Sequence, residues 1–508
     1  MRLLRRVAAA ACLLTQLPVA NAAIQVDIKN PSSVRTAAST VAFGLMKYYA
    51  GNNTGQIPGN LPDPYYWWEA GAMFGTMIDY QFLTGDKTYS DVTIQAMLHQ
   101  AGELRDFMPK NQTKTEGNDD QGFWAMAAMS AAENRFPDPP PGQAQWLALA
   151  QAVFNQYVTR WDTATCGGGL RWQIFTFNNG FNYKNSISNG CFFNLAARLA
   201  RFTGNQTYAE WAERVWDWTE SVKLISPEFD FYDGASVESG INCTKHDVIQ
   251  WSYNAGIFLH GSAFMYNMTG NDKWRSRVDG IVNRNSEIFF NGTAMFEPAC
   301  EGVNLCNNDQ RSFKGYLTRW MAGTAALAPF TAERIAAQLR GHAELVPKAC
   351  SGSPAKGFNG VPGTACGFSW VQAPGVPAFD GDVGVGEQMN ALGALMYTLA
   401  LPRESTAAPG GGGNTGGGDR GGGGGGGNGG GGGGSGGGSS GGDDEPPMAF
   451  VPVTGANGGT SQGDVNAGLA EKKEVQFEPI TTSGKVAAGF LTSALALSIT
   501  GFSIFLIM

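Results

Sequence analysis

A short turn motif recurs along the chain and restricts it to a repeated helical architecture. The three copies are FLTGDKTYSDVT, RFTGNQTYAEWA and NMTGNDKWRSRV, at Phe82–Thr93, Arg201–Ala212 and Asn267–Val278. In each copy a glycine follows a threonine, which is typical of a helix that ends in a left-handed residue and is soon followed by another helix. The glycines Gly85, Gly204 and Gly270 fall near multiples of about 60 residues, the length of a helical hairpin with its loops.

Two kinds of helix are predicted between these turns. Some carry an apolar stripe at helical spacing, such as Leu147, Ala150, Phe154, Tyr157 and Trp161. Their partners, among them WWEAGAMFGTMIDYQFL and WSYNAGIFLHGSAFMY, are apolar or small on nearly every side, as buried helices are. Strand-like alternation is hardly visible. The sequence therefore predicts an all-α fold, an (α/α)6 barrel in which six outer helices surround six inner helices.

Polar and aromatic residues are predicted to meet at one end of this barrel. Because the inner helices end in short turns on one face, their N-terminal ends lie together on the opposite face. Those ends carry Trp67, Trp68, Glu69, Asp119, Asp120, Ser188, Asn189, Trp251, Tyr253, Asn254, Lys314, Tyr316, Glu387 and Gln388. Aromatic rings, carboxylates and amides around one mouth are typical of a carbohydrate cleft.

Asp119 and Asp120 open one of the buried helices, NDDQGFWAMAAMSAAE. One interpretation is that an aspartate here caps the helix and complements its dipole. The other is chemical, because mutual repulsion raises the pKa of one carboxyl while the helix N-terminus favours charge on its neighbour. Retaining glycoside hydrolysis uses such a pair, an ionised nucleophile and a protonated acid roughly 5–5.5 Å apart. The local sequence leaves both interpretations open.

The other residues of the mouth are candidates for glycan binding. Trp67 and Trp68 suit stacking on sugar faces, although a tryptophan pair suits core packing equally well. Glu69 is expected to bind sugar hydroxyls or to pair with Lys314. Tyr253 belongs to the same set of aromatic residues.

The loop segment RWQIFTFNNGFNYKNSISNG is rich in aromatic and amide side chains and is predicted to form a wall of the cleft. It contributes Trp172, Tyr183 and Asn189. Asn254 and Gln388 suit recognition of hydroxyls or the satisfaction of loop backbone groups. Asp230 and Asp233 are more typical of turns than of catalysis.

Both ends of the chain indicate processing rather than folding. Residues 1–22 combine arginines, an apolar run and Ala-Asn-Ala, the pattern of a secretory signal. Residues 486–508 are apolar and uncharged, which together with that signal indicates a GPI-attachment sequence rather than a tail anchor. Residues 406–485, glycine-rich and then polar, are expected to form a flexible tether and stalk, leaving 23–405 as the catalytic domain. Candidate attachment sites are Asn466-Ala467-Gly468 and Thr482-Ser483-Gly484.

Glycosylation and cysteine patterns agree with secretion to the cell surface. Sequons occur at Asn52, Asn111, Asn205, Asn242, Asn267 and Asn291. Cys12 leaves with the signal, so that seven cysteines remain. The expected disulfides are Cys166–Cys243, Cys300–Cys306 and Cys350–Cys366, with Cys191 as a buried free thiol.

Charge and composition limit the kinds of ligand that the sequence predicts. The net charge of −8 is scattered, and a basic face for nucleic acid is missing from the sequence. The chain has only four histidines and shows no Cys/His spacing for zinc, so no metal or cofactor is predicted. The 13 Trp and 30 Phe residues suit a large aromatic core and a sugar-binding cleft.

The carboxylate pair in its aromatic context, with YYWWEAGAMFG before it and RSFKGYLTRW after it, resembles glycoside hydrolase family 76 over roughly Ala23–Leu401. The resemblance is closest to the fungal GPI-anchored endo-1,6-α-mannosidase-like proteins of the cell wall. It implies an (α/α)6 fold, α-1,6-mannoside substrates and retention of configuration. It also implies that Asp119 is the nucleophile and Asp120 the general acid/base.

These observations favour a monomeric mannosidase or transglycosidase of cell-wall biogenesis. Its substrate would be mannan or the mannose core of GPI glycans, and a β-glucan would be the acceptor if the glycan is transferred rather than hydrolysed. The alternative is a wall protein that binds mannan or GPI glycans without cleaving them. A structural wall protein would lack the aromatic barrel, and a uronate lyase would need a basic cleft.

Overall fold

The protein is described by a computed structural model over residues 24–112, 114–238, 240–371, 379–402 and 451–469. The predicted signal peptide, the glycine run and the apolar C-terminus lie outside these described residues. Six helices form an inner ring: α2 (Trp67–Thr84), α4 (Asn118–Glu133), α6 (Ser186–Thr203), α8 (Ser252–Thr269), α10 (Phe313–Leu327) and α13 (Val385–Met396). Six more lie outside them: α1 (Pro31–Met46), α3 (Ser90–Gln100), α5 (Trp146–Arg160), α7 (Gln206–Ser221), α9 (Asp272–Ile288) and α11 (Ala332–Ala343). A single short turn of helix, α12 (Val346–Ala349), precedes α13.

The inner helices pack side by side in chain order and close into a ring where α13 meets α2. Each of the outer helices from α3 to α11 packs on the inner helix before it, whereas α1 packs on α13. The first outer helix of the chain thus covers the last inner helix, and this contact joins the N-terminal and C-terminal parts of the barrel. The predicted (α/α)6 barrel is confirmed.

The repeated glycine turns lie where the sequence predicts them. Gly85, Gly204 and Gly270 end α2, α6 and α8 with φ of 78°, 71° and 63°. This left-handed backbone strains residues with a Cβ, which explains the glycine in each copy of the motif. Each turn leads from an inner helix to the following outer helix, so the N-terminal ends of the inner helices share the opposite face.

Two small sheets, which the sequence analysis missed, lie among the loops. The strands β1 (Tyr183–Asn185), β2 (Tyr232–Ser236) and β3 (His246–Gln250) form an antiparallel sheet in that order. A second pair consists of β4 (Phe290–Asn291) and β5 (Ala294–Met295). Strands this short carry too few residues for an alternating pattern to stand out.

The disulfide pattern matches the sequence prediction. Disulfides join Cys166 to Cys243, Cys300 to Cys306 and Cys350 to Cys366, and Cys191 is a buried free thiol. The first bridge ties the loop after α5 to the connection between β2 and β3. It therefore holds two segments close to the predicted cleft wall.

The predicted stalk needs a correction. Residues 451–469 do not extend from the barrel but lie against it, with backbone hydrogen bonds from Val453 N to Glu133 O and from Gly455 N to Phe202 O. Glycine-rich composition suggested a free chain, whereas here the glycines permit close contact. None of the helices in the described parts of the chain is both long and apolar enough to cross a membrane.

A buried ion pair joins two inner helices at the turn end of the barrel. Arg198 on α6 donates from Nη2 to Glu133 Oε2 on α4 at 2.6 Å and to Ser130 Oγ at 2.7 Å. Both charged side chains are only 3% exposed. Removal of one partner would leave the other charge buried and uncompensated.

We predict that Glu133→Ala lowers the free energy of unfolding by about 3–5 kcal/mol, because the Arg198 guanidinium loses its buried partner. Urea unfolding followed by tryptophan fluorescence measures the change. The control is Glu103→Ala, which removes an exposed ion pair with Lys110 and should cost at most about 1 kcal/mol. Equal effects of the two substitutions would contradict a structural role for the buried pair.

Candidate active site

A cleft of about 470 Å³ opens where the N-terminal ends of the inner helices converge. Its walls are mostly aromatic and carboxylic. The lining residues are Tyr66, Trp67, Trp68, Gln112, Thr115, Glu116, Asp119, Asp120, Phe123, Trp172, Gln173, Tyr183, Asn185, Asp233, Tyr253, Asp309 and Phe313. The sequence-predicted Asp119, Asp120, Trp67, Trp68, Trp172, Tyr183 and Tyr253 all belong to this set.

The backbone at the start of α4 positions the carboxylate pair. Gly117 precedes the helix in an extended conformation and bridges to Gln173 on the opposite wall. Asn118 N donates to Trp172 O at 2.8 Å, and Asn118 Nδ2 donates to Arg171 O at 2.8 Å. The first turn of α4 is thereby fixed to the loop that forms the wall of the cleft.

The capping interpretation of the aspartate pair is confirmed for Asp120, and the catalytic interpretation stays a prediction. Asp120 Oδ2 accepts a 2.6 Å hydrogen bond from Gly117 N, so this side chain caps the helix while its carboxyl also lines the cleft. Asp119 Oδ1 accepts from Asp120 N at 3.1 Å. A Cβ at Gly117 would lie 2.3 Å from Asp119 Oδ1, so a larger residue there would displace the Asp119 carboxyl.

Burial raises the pKa of both carboxyls. Desolvation, followed by the charge of Asp120, raises the pKa of Asp119 well above its ordinary value. Desolvation raises the pKa of Asp120 to about 6. The hydrogen bond from Gly117 N acts in the opposite direction and limits this rise. The pair therefore retains a proton more readily than two free carboxyls would, as an acid and nucleophile pair requires.

Three further carboxyls, none of them among the predicted site residues, share the cleft. Glu116 is 2% exposed, and its carboxyl oxygens have no hydrogen-bond partner within the described residues. Burial and the charge of Asp120 raise its pKa to about 9. Asp309 accepts from Trp68 Nε1 at 3.2 Å, and burial raises its pKa to about 6. Asp233 accepts from Tyr183 Oη at 2.7 Å.

The lining carries five carboxyls, and none of the described residues that line the cleft is lysine or arginine. Desolvation keeps part of this group neutral, which reduces the repulsion between its members. The carboxyls that remain ionised still make the cleft acidic. A ligand that carries a positive charge would therefore be favoured over a neutral ligand of the same shape.

The aromatic residues serve the core and the cleft together. Trp67 stacks on Trp124 with ring centroids 5.3 Å apart, and Trp68 packs on Phe123 at 4.7 Å. Their edges nevertheless line the cleft. On the facing side Tyr253 lies parallel to a second ring, that of Phe313. These rings provide flat apolar surfaces for sugar rings.

Five of the predicted binding residues do not line the cleft. Glu69 is fully buried behind it and does not pair with Lys314. Burial, with the charges of Asp309 and Glu387, raises the pKa of Glu69 well above its ordinary value. Lys314 does not line the cleft, and its Nζ pairs instead with Glu301 Oε2 at 3.2 Å, because a buried ammonium needs such a partner.

The three predicted amides also have structural positions. Asn189 accepts from Leu170 N at 2.8 Å and donates to Leu170 O at 3.0 Å, so it supports the loop rather than a ligand. Asn254 is buried behind Asp233, whose pKa is raised by burial although the Asn254 amide opposes that shift. Gln388 is buried on α13 near Gly44 of α1. The sequence correctly predicts that these three amides lie near the N-terminal ends of inner helices. It does not predict the direction in which their side chains point.

The missed carboxyls had different signals in the sequence. Glu116 stands three residues before Asp119, so an acidic cluster was visible. Asp309 lies one short helical turn before α10, just before the motif RSFKGYLTRW. Asp233 was assigned to a turn, but it lies in β2 opposite Tyr183, and this pairing depends on the missed sheet.

The six sequon asparagines are all exposed on the surface of the barrel: Asn52, Asn111, Asn205, Asn242, Asn267 and Asn291. Three of them make side-chain hydrogen bonds, among them Asn242, whose Oδ1 accepts from Cys166 N at 2.6 Å. Asn205 Oδ1 accepts from Thr207 N at the start of α7, and Asn267 Nδ2 donates to Leu327 O at 2.9 Å. Glycosylation at these sites stays a prediction.

A helical barrel with a carboxyl pair and aromatic rings at its mouth is typical of carbohydrate-active enzymes. Residues 33–408 match glycosyl hydrolase family 76, and the chain belongs to this family. The family predicted from the sequence is thereby confirmed, and the chain is a glycoside hydrolase.

The chain matches its relatives over most of their length. The mannan endo-1,6-alpha-mannosidase DCW1 of Saccharomyces cerevisiae is 43% identical over 488 residues, 96% of this chain and 95% of that protein. The Candida glabrata protein of that name is 48% identical over 382 residues, 75% of this chain and 82% of that protein. The crystal structure of Dfg5 from Chaetomium thermophilum in complex with glucosamine is 42% identical, with a TM-score of 0.73 over 88% of this chain and 98% of that one.

We predict that Asp120→Asn lowers the pKa of Asp119, because removal of the neighbouring negative charge eases ionisation of the remaining carboxyl. Infrared difference titration of the carboxyl band measures the shift. Asp138→Asn, at an exposed position away from the cleft, serves as the control and should change nothing. An unchanged Asp119 pKa in Asp120→Asn would contradict electrostatic coupling within the pair.

Proposed function

We propose that this chain is a retaining, endo-acting α-1,6-mannosidase that also works as a transglycosidase. The observation that carries the proposal is the pair Asp119 and Asp120 at the floor of an aromatic cleft. Relatives that are 42–48% identical and named mannan endo-1,6-alpha-mannosidases support the substrate class. Cleavage of the glycosidic bond is accelerated by general acid catalysis at the leaving oxygen and by nucleophilic catalysis at the anomeric carbon.

In the proposed reaction Asp119 attacks the anomeric carbon while Asp120 protonates the glycosidic oxygen. The glycosidic C–O bond breaks, and an ester between mannose and Asp119 forms. Asp120 then takes a proton from the incoming hydroxyl, which displaces Asp119 and restores the original configuration. The mechanism requires that the pair hold one proton when the glycan docks, on Asp120, and burial, which raises the pKa of both carboxyls, favours retention of that proton.

The acidic lining favours a donor glycan that contains an amino sugar. The related Chaetomium thermophilum protein was crystallised with glucosamine. A protonated amine near Asp309 and Asp233 would offset charge that neutral mannan leaves uncompensated. This supports the mannose core of GPI glycans as the donor, with plain α-1,6-mannan as a simpler substrate of the same cleft.

The acceptor is the hydroxyl of a wall β-glucan, which takes the place of water in the second step. A covalent intermediate makes this exchange possible, because the donor remains bound while the acceptor enters. The sequence signals for secretion and GPI attachment place the monomeric enzyme at the cell surface, next to GPI-linked proteins. The proposed outcome is a cross-link between those proteins and glucan.

The competing function is a protein that binds mannan or GPI glycans without cleaving them. Both members of the carboxyl pair are present and both reach the cleft, which favours catalysis. A pure binding site would have no need for two adjacent carboxyls with raised pKa values.

We expect Asp119→Asn and Asp120→Asn each to reduce cleavage of an α-1,6-mannoside roughly 10²-fold or more, while Asp138→Asn retains activity. Products with a glucan oligosaccharide present are read by mass spectrometry, where a donor–acceptor adduct demonstrates transfer. Glycan binding by all variants without any product would establish the binding protein instead.

Azide rescue separates the two roles. Asp119→Gly should give a mannosyl azide of inverted configuration, and Asp120→Gly one of retained configuration, because azide replaces the nucleophile in the first variant and attacks the enzyme ester in the second. The reverse pattern would exchange the roles.

We predict that glucosamine binds roughly tenfold more tightly than glucose at pH 7, and that this preference shrinks toward pH 5. The reason is that Asp309, with a pKa of about 6, is ionised at the higher pH and increasingly neutral at the lower one. Isothermal titration of both sugars measures the preference. Asp309→Asn should reduce it and flatten its pH dependence, whereas Asp138→Asn should not; equal affinities for both sugars would rule out selection by charge.

A further inference from the structure

Residues 451–469, called the clasp from here on, lie against the outside of the barrel. At the turn end the clasp crosses the last residues of α4 and α6. Val453 N donates to Glu133 O at 3.0 Å and Gly455 N donates to Phe202 O at 2.8 Å. Arg201 Nη1 donates to Pro452 O at 2.7 Å. These bonds use carbonyls that helix ends leave without a partner.

The clasp then follows the outer face of α5 toward the mouth. Leu147 N, at the start of that helix, donates to Ser461 Oγ at 3.0 Å, and Ser461 is 9% exposed. Asp464 N donates to Gln151 Oε1 at 2.7 Å. Further along, Asn155 Nδ2 donates to the carbonyls of Val465 at 3.0 Å and Ala467 at 2.8 Å. The side chains of successive turns of α5 thus hold successive parts of the clasp.

The glycines of the clasp match the shape of this surface. A Cβ at Gly459 would lie 2.5 Å from the Phe202 ring, and one at Gly463 would lie 2.6 Å from Gln151 Oε1. Gly458, with φ of 109°, would bring a Cβ within 2.4 Å of Arg135 Nη2. Larger residues would lift the segment off the barrel, so these positions are fitted to the contact.

Docking within one chain is favoured over docking between two chains. Only 48 residues lie between Pro402 and Val451, and glycine predominates among them. A covalent connection of this length keeps the two parts of the chain at an effective concentration on the order of millimolar. A second copy of the protein would have to approach that concentration to compete.

We propose that the clasp determines where the C-terminal part of the chain leaves the barrel, and so holds the barrel close to its point of attachment. This inference rests on the proposed C-terminal attachment at the cell surface. It favours the later candidate at Thr482-Ser483-Gly484, because processing at Asn466 would remove the Ala467 carbonyl that Asn155 binds.

Docking shortens the free chain between barrel and attachment. Without the clasp, 80 residues separate Pro402 from Ser483; with it, 13 residues separate Leu469 from Ser483. Flexible chains of these lengths have end-to-end distances of about 50 Å and about 20 Å. The chain leaves from the side wall, because the clasp ends beside Ala152 and Asn155, between the turn end of α5 and its mouth end at Arg160.

The first test is hydrogen exchange on the full chain. We expect the amides of Val453, Gly455 and Asp464 to exchange at least about tenfold more slowly than unprotected amides, because each has an acceptor on the barrel. The double variant Gly459→Val, Gly463→Val should lose this protection. The matched control Ala456→Val, Gln462→Val, at exposed positions of the same segment, should keep it.

Two exchange results would overturn the clasp. One is exchange of these amides at unprotected rates in the wild-type chain. The other is protection that appears only at high protein concentration, which would mean docking between copies.

The second test measures the distance between a fluorophore on the barrel and an acceptor dye in the membrane of cells that display the chain. The glycine variant should lie farther from the membrane than the wild type and the control. An unchanged distance despite lost protection would overturn the proposed shortening. Failure of all three proteins to reach the membrane would instead disprove C-terminal attachment, while exchange still decides whether the clasp docks.

Discussion

A buried set of charges at the turn end of the barrel holds the inner ring together. Arg319 on α10 donates from Nε to Asp79 Oδ2 on α2 at 2.7 Å, and Tyr397 Oη donates to the same oxygen at 2.7 Å. Arg319 also reaches Ser130 Oγ on α4, which Arg198 of α6 contacts as well. Four inner helices are thus connected through groups that would be costly to bury singly. With this end fixed, the direction of each inner helix is set, and the opposite ends must converge.

Convergence at the mouth places several helix N-termini around one small volume. Their partial positive charges and free N–H groups favour carboxylates, which explains why acidic side chains collect there. Asp120 shows the principle most directly, since its carboxyl accepts the N–H of Gly117 and also faces the cleft. The same burial that a sugar-binding cleft requires then raises the carboxyl pKa values. The fold therefore supplies proton-holding acids as a consequence of its packing.

Much of this could be predicted from the sequence, because the signals are local. The Gly85, Gly204 and Gly270 turns reveal the repeat, and the tandem Asp119 and Asp120 reveal the site. Side-chain direction is not local. Lys314 begins a mouth helix yet points to Glu301, since a buried ammonium needs a partner that only the folded chain provides. Asp233 joins the cleft through a sheet whose strands meet across distant parts of the chain, and no short window of sequence contains that information.

Glycine illustrates why composition alone misjudges the C-terminal segment. A glycine-rich run is expected to be flexible, because its backbone loses much entropy when it is ordered. The same residue is also the only one that permits a backbone to approach a ring or a side chain as closely as Gly459 approaches Phe202. The two cases differ in what lies opposite the glycine, and only the folded barrel supplies that surface. Docking therefore depends on hydrogen-bonding residues between the glycines, such as Ser461 and Asp464, which meet Leu147 and Gln151 at successive turns of α5.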